Sequence, residues 1–238
     1  MNFPSLEEIL ALSFQRESAE IYTAIPCVIT NIPNTLKDLR VDVQPSIDTL
    51  YPDGTSEEHS QILGVPVVFP AGRTSMLSFP LFVGDTVLCV FSKKSLDTFK
   101  QGNGQRTIAS DFRHMDERDA IAIPGLVPFG KSLNNPAVRT FPHSTSDLVL
   151  AHNIGLGTEV EIRLKPDGSL NIKTEQAVSV TCSTATLTAD TLMLDVGNTT
   201  WSGNVSHTGT FTFNGIPFGT HKHTGVQPGV GTSAGPVA

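Results

Sequence analysis

Charge is scarce where its scarcity is most telling. After Lys173 the chain carries only Glu175, Asp190, Asp195 and Lys222 as charged side chains. Such a stretch, rich in Thr, Ser, Val, Leu and Gly, suits closely packed strands and cannot support a solvated helix. Long apolar runs are missing too. None approaches the roughly 20 residues of a spanning helix, and Met1-Asn2-Phe3-Pro4-Ser5 lacks a basic region ahead of an apolar stretch, so neither membrane anchoring nor a signal peptide is expected. Cysteine is sparse and odd in number. Cys27, Cys89 and Cys182 show no CxxC spacing, and each lies in an apolar or β-branched run, so all three are expected as buried free thiols. Basic charge is in the minority, 16 Lys+Arg against 23 Asp+Glu for a formal −7. No nucleic-acid partner is expected from a chain without a basic stripe. Catalytic signatures are not expected either: no HExxH, no paired carboxylates in a cleft-forming helical domain, and no Gly-x-Ser-x-Gly elbow. An enzyme is therefore not expected.

What is present reads as strands. Residues 1–20 open with a cap at Ser5, acidic Glu7 and Glu8, and apolar Leu6, Ile9, Leu10 and Phe14, which predict a short amphipathic helix. Runs at 21–29, 39–45, 62–69, 79–91 and 120–123 read as strands, with turn clusters at Pro52-Asp53-Gly54-Thr55 and Ala71-Gly72-Arg73-Thr74. A helix fits near 95–99. Five strands in about 100 residues predict an OB-type Greek-key barrel over 21–125, here a structural collar. The charged segment 111–119 is expected as a solvated loop before the last strand.

Residues 126–146 hold Pro128, Gly130, Asn134-Asn135-Pro136 and Pro142 without a sustained period, as a neck does. From Asp147 the period becomes two. Leu148-Val149-Leu150 is followed by Glu159-Val160-Glu161-Ile162-Arg163-Leu164-Lys165, the turn Pro166-Asp167-Gly168, and Ser169-Leu170-Asn171-Ile172-Lys173, a β-hairpin signature. Further short runs at 177–182, 185–189, 191–196 and 210–213 are each too short to bury an apolar face alone. They predict a ladder that winds about an axis. In a single chain its Val, Leu and Ile row would stay exposed, whereas three copies about a threefold axis would bury that row and pair the strand edges.

The chain then reaches Thr220-His221-Lys222-His223-Thr224. In extended backbone, residues i and i+2 share a face, so His221 and His223 aim both imidazoles the same way. Two imidazoles make a poor site; three chains would supply six, enough for an octahedral first-row ion, with iron, nickel, cobalt and zinc all compatible. His143, His152 and His207 lack a second ligand at useful spacing and read as surface or interface histidines.

Taken together, the helix and barrel, the neck, the hairpin, the charge-poor ladder and the terminal HxH ahead of Gly225, Pro228-Gly229 and Gly235-Pro236 resemble the central baseplate spike of contractile-tailed bacteriophages. The resemblance covers nearly the whole chain. It implies a mainly β fold: an N-terminal helix or extension at 1–20, an OB-fold collar at 21–125, a neck at 126–146, an intertwined trimeric β-helix or β-prism at 147–216 and a metal-binding apex at 217–238. It implies a homotrimer in the virion's tail baseplate that docks on hub proteins through the collar and pierces the host outer membrane during sheath contraction. His221 and His223 of three chains would then hold one iron ion per trimer. Lys222 stands where a Thr or another small residue is usual in this motif and brings three positive charges near the ion. The alternatives are a trimeric tail-fibre adhesin and a spike with hydrolase activity.

Overall fold

A computed structural model describes residues 5–19, 21–33 and 39–219. The chain divides into two units, Met1–Ser179 and Val180–Ala238.

In the first unit, α1 (Leu6–Ala19) begins with a reciprocal cap. The Ser5 amide donates to Glu8 Oε2 at 2.7 Å and the Glu8 amide donates to Ser5 Oγ at 3.2 Å, which satisfies two otherwise orphaned donors. Leu6, Ile9, Leu10 and Phe14 all face solvent in the single chain.

The strands that follow are β1 (Ala24–Asn31), β2 (Arg40–Pro45), the two-residue β3 (Thr49–Leu50) and β4 (Ser56–Glu57), β5 (Ile62–Pro66) and β6 (Thr86–Phe91). After α2 (Asp97–Gln101) comes β7 (Ala120–Pro124). Five of them form one antiparallel sheet in the order β5-β2-β1-β6-β7. The sheet curls into a half-barrel, and its edges meet where Val67 bridges Ala122 in parallel and the Val68 amide donates to the Ala122 carbonyl at 2.9 Å. Alternation sets what lies inside. Cys27 and Ile29 of β1, Val41 and Val43 of β2, Val87 and Cys89 of β6 all point inward and are fully or almost fully buried. Every buried apolar side chain among the described residues belongs to this half-barrel, lies just past its β5 edge, or sits at the start of β7.

The expected strand runs needed trimming. Residues 79–85 are not strand: the Asp85 amide closes a turn on the Phe82 carbonyl at 3.1 Å, and β6 starts only at Thr86. The segment 111–119 is also more than a solvated loop. Asp119 is fully buried, where its carboxylate accepts from Leu96 N–H at 2.8 Å and from Arg113 Nε at 2.9 Å.

Residues 126–146 contain 3-10 turns and no strand. They are followed by β8 (Leu148–His152), β9 (Val160–Leu164) and β10 (Leu170–Thr174), an antiparallel sheet in the order β10-β9-β8. The hairpin turns at Gly168, whose φ of +83° is the left-handed conformation that glycine adopts without strain. Ser169 donates to Asp167 from both hydroxyl and amide and, with Lys165 nearby, holds that carboxyl down to about 2.

The second unit differs from expectation. Among its described residues only β11 (Thr212–Phe213) and β12 (Ile216–Pro217) pair, with the Phe218 amide donating to the Phe211 carbonyl at 2.7 Å. The runs at 177–182, 185–189 and 191–196 are not strands within the chain, because among the described residues none accepts a hydrogen bond from their amides.

Candidate functional site

The hairpin sequence Glu159 to Lys165 presents two faces, and the structure decides which one the chain buries itself. The charged face turns in. Glu159, Glu161 and Arg163 are buried beneath the neck, whereas Ile162 and Leu164 face solvent, the reverse of the usual rule for apolar and charged side chains.

Five charged groups share that covered face: Arg139 and Asp147 from the neck side, Glu159, Glu161 and Arg163 from β9 and its approach. Arg139 Nη2 lies 3.4 Å from both Glu159 Oε1 and Glu161 Oε2, and Arg163 pairs with Glu161 and, at 3.7 Å, with Asp147. Arg163 also donates to the Phe141 and Pro142 carbonyls at 3.1 and 3.3 Å, which ties the neck down. Burial alone would raise the Glu159 carboxyl. The amides of Thr140 and Gly155 and the Arg139 guanidinium outweigh burial and hold it below the usual range. Gly155 is required there: its φ is +75°, and a Cβ would stand 2.8 Å from the Val138 carbonyl oxygen.

The opposite face of the same sheet is apolar and bare. Register sets Leu148 beside Leu164 beside Leu170, and Leu150 beside Ile162 beside Ile172, giving two rows of three, all six side chains exposed among the described residues. Contiguous apolar surface of this kind marks an interaction face.

In the second unit the exposure continues along the chain. Val180, Leu187, Leu192, Leu194 and Val205 are all more than half exposed, and among the described residues no backbone amide from 177 to 210 donates to a main-chain carbonyl of the chain. Cys182 lies on this stretch and is exposed, which corrects the expectation of three buried thiols. Its run is apolar but has nothing in the chain to pack on. Cys27 and Cys89 are buried in the half-barrel; the neighbouring Cys27 thiol and burial together push the Cys89 thiol well above its ordinary value.

His221 and His223 lie outside the described residues. His207 is exposed and meets the Phe211 ring edge-on at 5.8 Å, while His143 Nδ1 lies 2.7 Å from the Ser144 carbonyl and His152 sits exposed on β8. None of the three joins a ligand cluster, and among the described residues no three His, Cys, Asp or Glu side chains converge as metal ligands do. No helix among them is long and apolar enough to cross a membrane. The tail spells G-x-S-x-G at Gly231-Thr232-Ser233-Ala234-Gly235, also outside the described residues; between Pro228 and Pro236 it has no strand-to-helix sequence around it. A cleft of about 330 Å³ opens beside β2, lined mainly by apolar residues including Val41, Val67, Phe69 and Leu81, with Arg40 as the charged side chain among its described lining.

On the half-barrel, Arg118 grips Asp116 at 2.7 and 2.8 Å and pulls that carboxyl down to about 2. A carboxyl near 3.9 in the unfolded chain and about 2 in the fold contributes stability above pH 4 that is lost as pH falls toward 2. The thermal midpoint is expected to drop more between pH 4.5 and pH 2.5 for the natural chain than for Asp116→Asn, which keeps the cap to the Arg118 amide. Parallel pH profiles for the two proteins would refute this assignment.

These features define a mainly β protein with a half-barrel at one end of the sequence and uncovered apolar faces at the other. Residues 25–125 match the family model of the N-terminal domain of phage protein Gp138. The match spans the half-barrel from β1 to just past β7 and supports a phage structural protein, a component of the virion. A comparison with curated proteins finds no match.

Proposed function

We propose that this chain is the central spike of a contractile phage tail baseplate, a homotrimer that sheath contraction drives through the host outer membrane. One observation carries the reading: among the described residues no backbone amide from 177 to 210 donates to a main-chain carbonyl of the chain, while Val180, Leu187, Leu192, Leu194 and Val205 stand exposed along it. Unpaired backbone donors beside apolar side chains are costly unless other strands complete them, and identical strands from two further copies would pair and cover them together. A trimer wound in this way has no free sheet edges, which suits a rigid needle.

The half-barrel, of the OB type in this reading, serves as the collar on the tail hub. No bond is cut by the chain; its work is mechanical. At the apex, His221 and His223 of the three chains would hold one iron ion. Six neutral imidazoles suit an octahedral first-row ion and leave no open coordination position, so the ion would supply cross-linking of the blunt end where fraying begins.

Mass measurement of the full-length chain with elemental analysis tests both parts. The expected result is a three-chain mass with one iron per trimer, and loss of the metal in His221→Ala/His223→Ala with the half-barrel still folded. A one-chain mass would overturn the trimer, and unchanged metal content in the double variant would remove the histidines from the site. An adhesin would instead bind a receptor through the isolated trimeric end, and a hydrolase spike would release sugar or peptide from cell wall.

A further inference from the structure

Two excursions leave the same rim of the half-barrel. Between β2 and β5 an arm, residues 46–61, carries β3 and β4; between β6 and β7 a loop, residues 92–119, carries α2. Both depart beside the start of β1: the Ser46 amide donates to the Pro26 carbonyl at 2.9 Å and the Phe91 amide donates to the Thr23 carbonyl at 3.1 Å. The strand order sets β2 and β5 on one side of β1 and β6 and β7 on the other, so the excursions occupy opposite flanks of one rim. Tyr22 stands between their bases, its hydroxyl 3.5 Å from His59 Nδ1 and its amide donating to the Met115 carbonyl at 3.0 Å.

Their surfaces are complementary. The arm is acidic, with Asp48, Asp53, Glu57 and Glu58 exposed and no Lys or Arg between Arg40 and Arg73. None of the four has a cationic partner among the described residues. The loop holds six cations, Lys93, Lys94, Lys100, Arg106, Arg113 and Arg118, against five acids, Asp97, Asp111, Asp116, Glu117 and Asp119, but the charges are sorted: Arg113 and Arg118 pair with the loop's own aspartates, whereas Lys93, Lys94 and Arg106 face solvent with no carboxylate paired to them among the described residues. Each excursion also exposes apolar side chains: Ile47 and Leu50 on the arm, Ile108 at 87% and Phe112 at 97% on the loop.

The loop is built to hold that shape. Adjacent antiparallel strands can be joined by a few residues, so so long a connection calls for a role of its own. Its two ends are clasped by Arg113, which meets Asp97, Asp111 at 2.8 Å and Asp119 at 2.9 Å and donates to Ser95 Oγ at 3.0 Å. Side chains displayed on such a frame lose little freedom on docking.

We infer that the basic, apolar loop of one copy docks on the acidic, apolar arm of the next, so that the collars join head to tail in a closed ring. This rests on the three-copy reading and deepens it. A head-to-tail contact between different patches of identical chains closes into a ring when its rotation is a whole fraction of a turn, and a threefold ring uses each flank once. Opposite charge at the rim fixes which flank meets which, and the apolar residues between supply burial.

The test uses the full-length chain with Cys182→Ser, so that the remaining native thiols are the buried Cys27 and Cys89. Leu50→Cys on the arm and Ile108→Cys on the loop, combined in one chain and mildly oxidised, are expected to give covalent dimers and trimers in denaturing conditions; either cysteine alone gives none. Lys93→Glu/Lys94→Glu should lower the linked yield about fivefold at low salt, and Glu57→Lys/Glu58→Lys in the same chain should restore it. A three-chain native mass without any inter-copy link overturns the arm-to-loop docking, assigns the loop to another partner such as the hub, and leaves the trimer standing. A link formed within one chain also overturns it. A one-chain native mass fails the three-copy reading itself.

Discussion

Ile162→Asp is expected to reduce the full-length chain from a three-chain mass to a one-chain mass at micromolar concentration, with its β content retained. Ile162 sits at the middle of β9, between Leu150 and Ile172, at the centre of the two apolar rows. Ile162 is 38% exposed in the single chain, flanked by Leu150 and Ile172, so an aspartate there keeps contact with water and costs its own fold little. In a trimer the same position is buried three times. Loss of about 1.5–3 kcal/mol of apolar burial per copy amounts to roughly 5–9 kcal/mol per trimer, before the cost of desolvating three carboxylates is added. At about 1.4 kcal/mol per tenfold, association weakens by some four to six powers of ten. Ile162→Val, which keeps the face apolar, should remain trimeric. Sedimentation or light scattering reads the difference, and a trimeric Ile162→Asp of unchanged β content would show that the face is not an assembly surface.

The second large effect lies on the other side of the same sheet. Arg139→Met removes the guanidinium that stands 3.4 Å from Glu159 and Glu161, both fully buried side chains. Breaking a buried pair by removing one partner costs about 3–5 kcal/mol, because the remaining charge is left uncompensated in a dry site. In a chain of this size that corresponds to a fall in Tm of roughly 6–20 °C. Adding Glu159→Gln to Arg139→Met should recover part of the loss, since Glu161 keeps its Arg163 partner and the carboxylate stranded by the first change is then neutral, and this rescue separates an electrostatic effect from a packing defect. A single variant melting within a degree or two of the natural chain would mean that the clasp of neck to sheet is held by its backbone contacts alone.

These two faces also measure how far the sequence could be read. Period two from Glu159 to Lys165 and the Pro166-Asp167-Gly168 turn are local signals, and the hairpin formed with the expected turn. The half-barrel was legible for the same reason: Arg40 to Pro45 and Thr86 to Phe91 alternate cleanly and alternate in burial. Pro80 and the turn at Gly84 cut short the apolar run from Phe79, a case where turn chemistry outweighs hydrophobicity. The buried clasp could not be foreseen, because alternation names two faces without saying which is covered. Arg139 belongs to a segment with no period at all and Asp147 stands where the period begins, and their place beneath β9 follows only from how the neck crosses the sheet. The exposed position of Cys182 was hidden likewise, since an apolar run implies burial only where something lies against it.

By itself the sequence determined the alternation, the turns, the near absence of charge after Lys173 and the terminal HxH, all properties of neighbouring residues along the chain. The tertiary structure alone decided that Glu159, Glu161 and Arg163 lie inside while Ile162 and Leu164 lie outside, and that among the described residues no amide of 177–210 finds a main-chain acceptor. The reason is physical. Backbone and side-chain preferences act over a few residues, whereas burial depends on which distant segments arrive alongside, and among the described residues none arrives alongside 177–210.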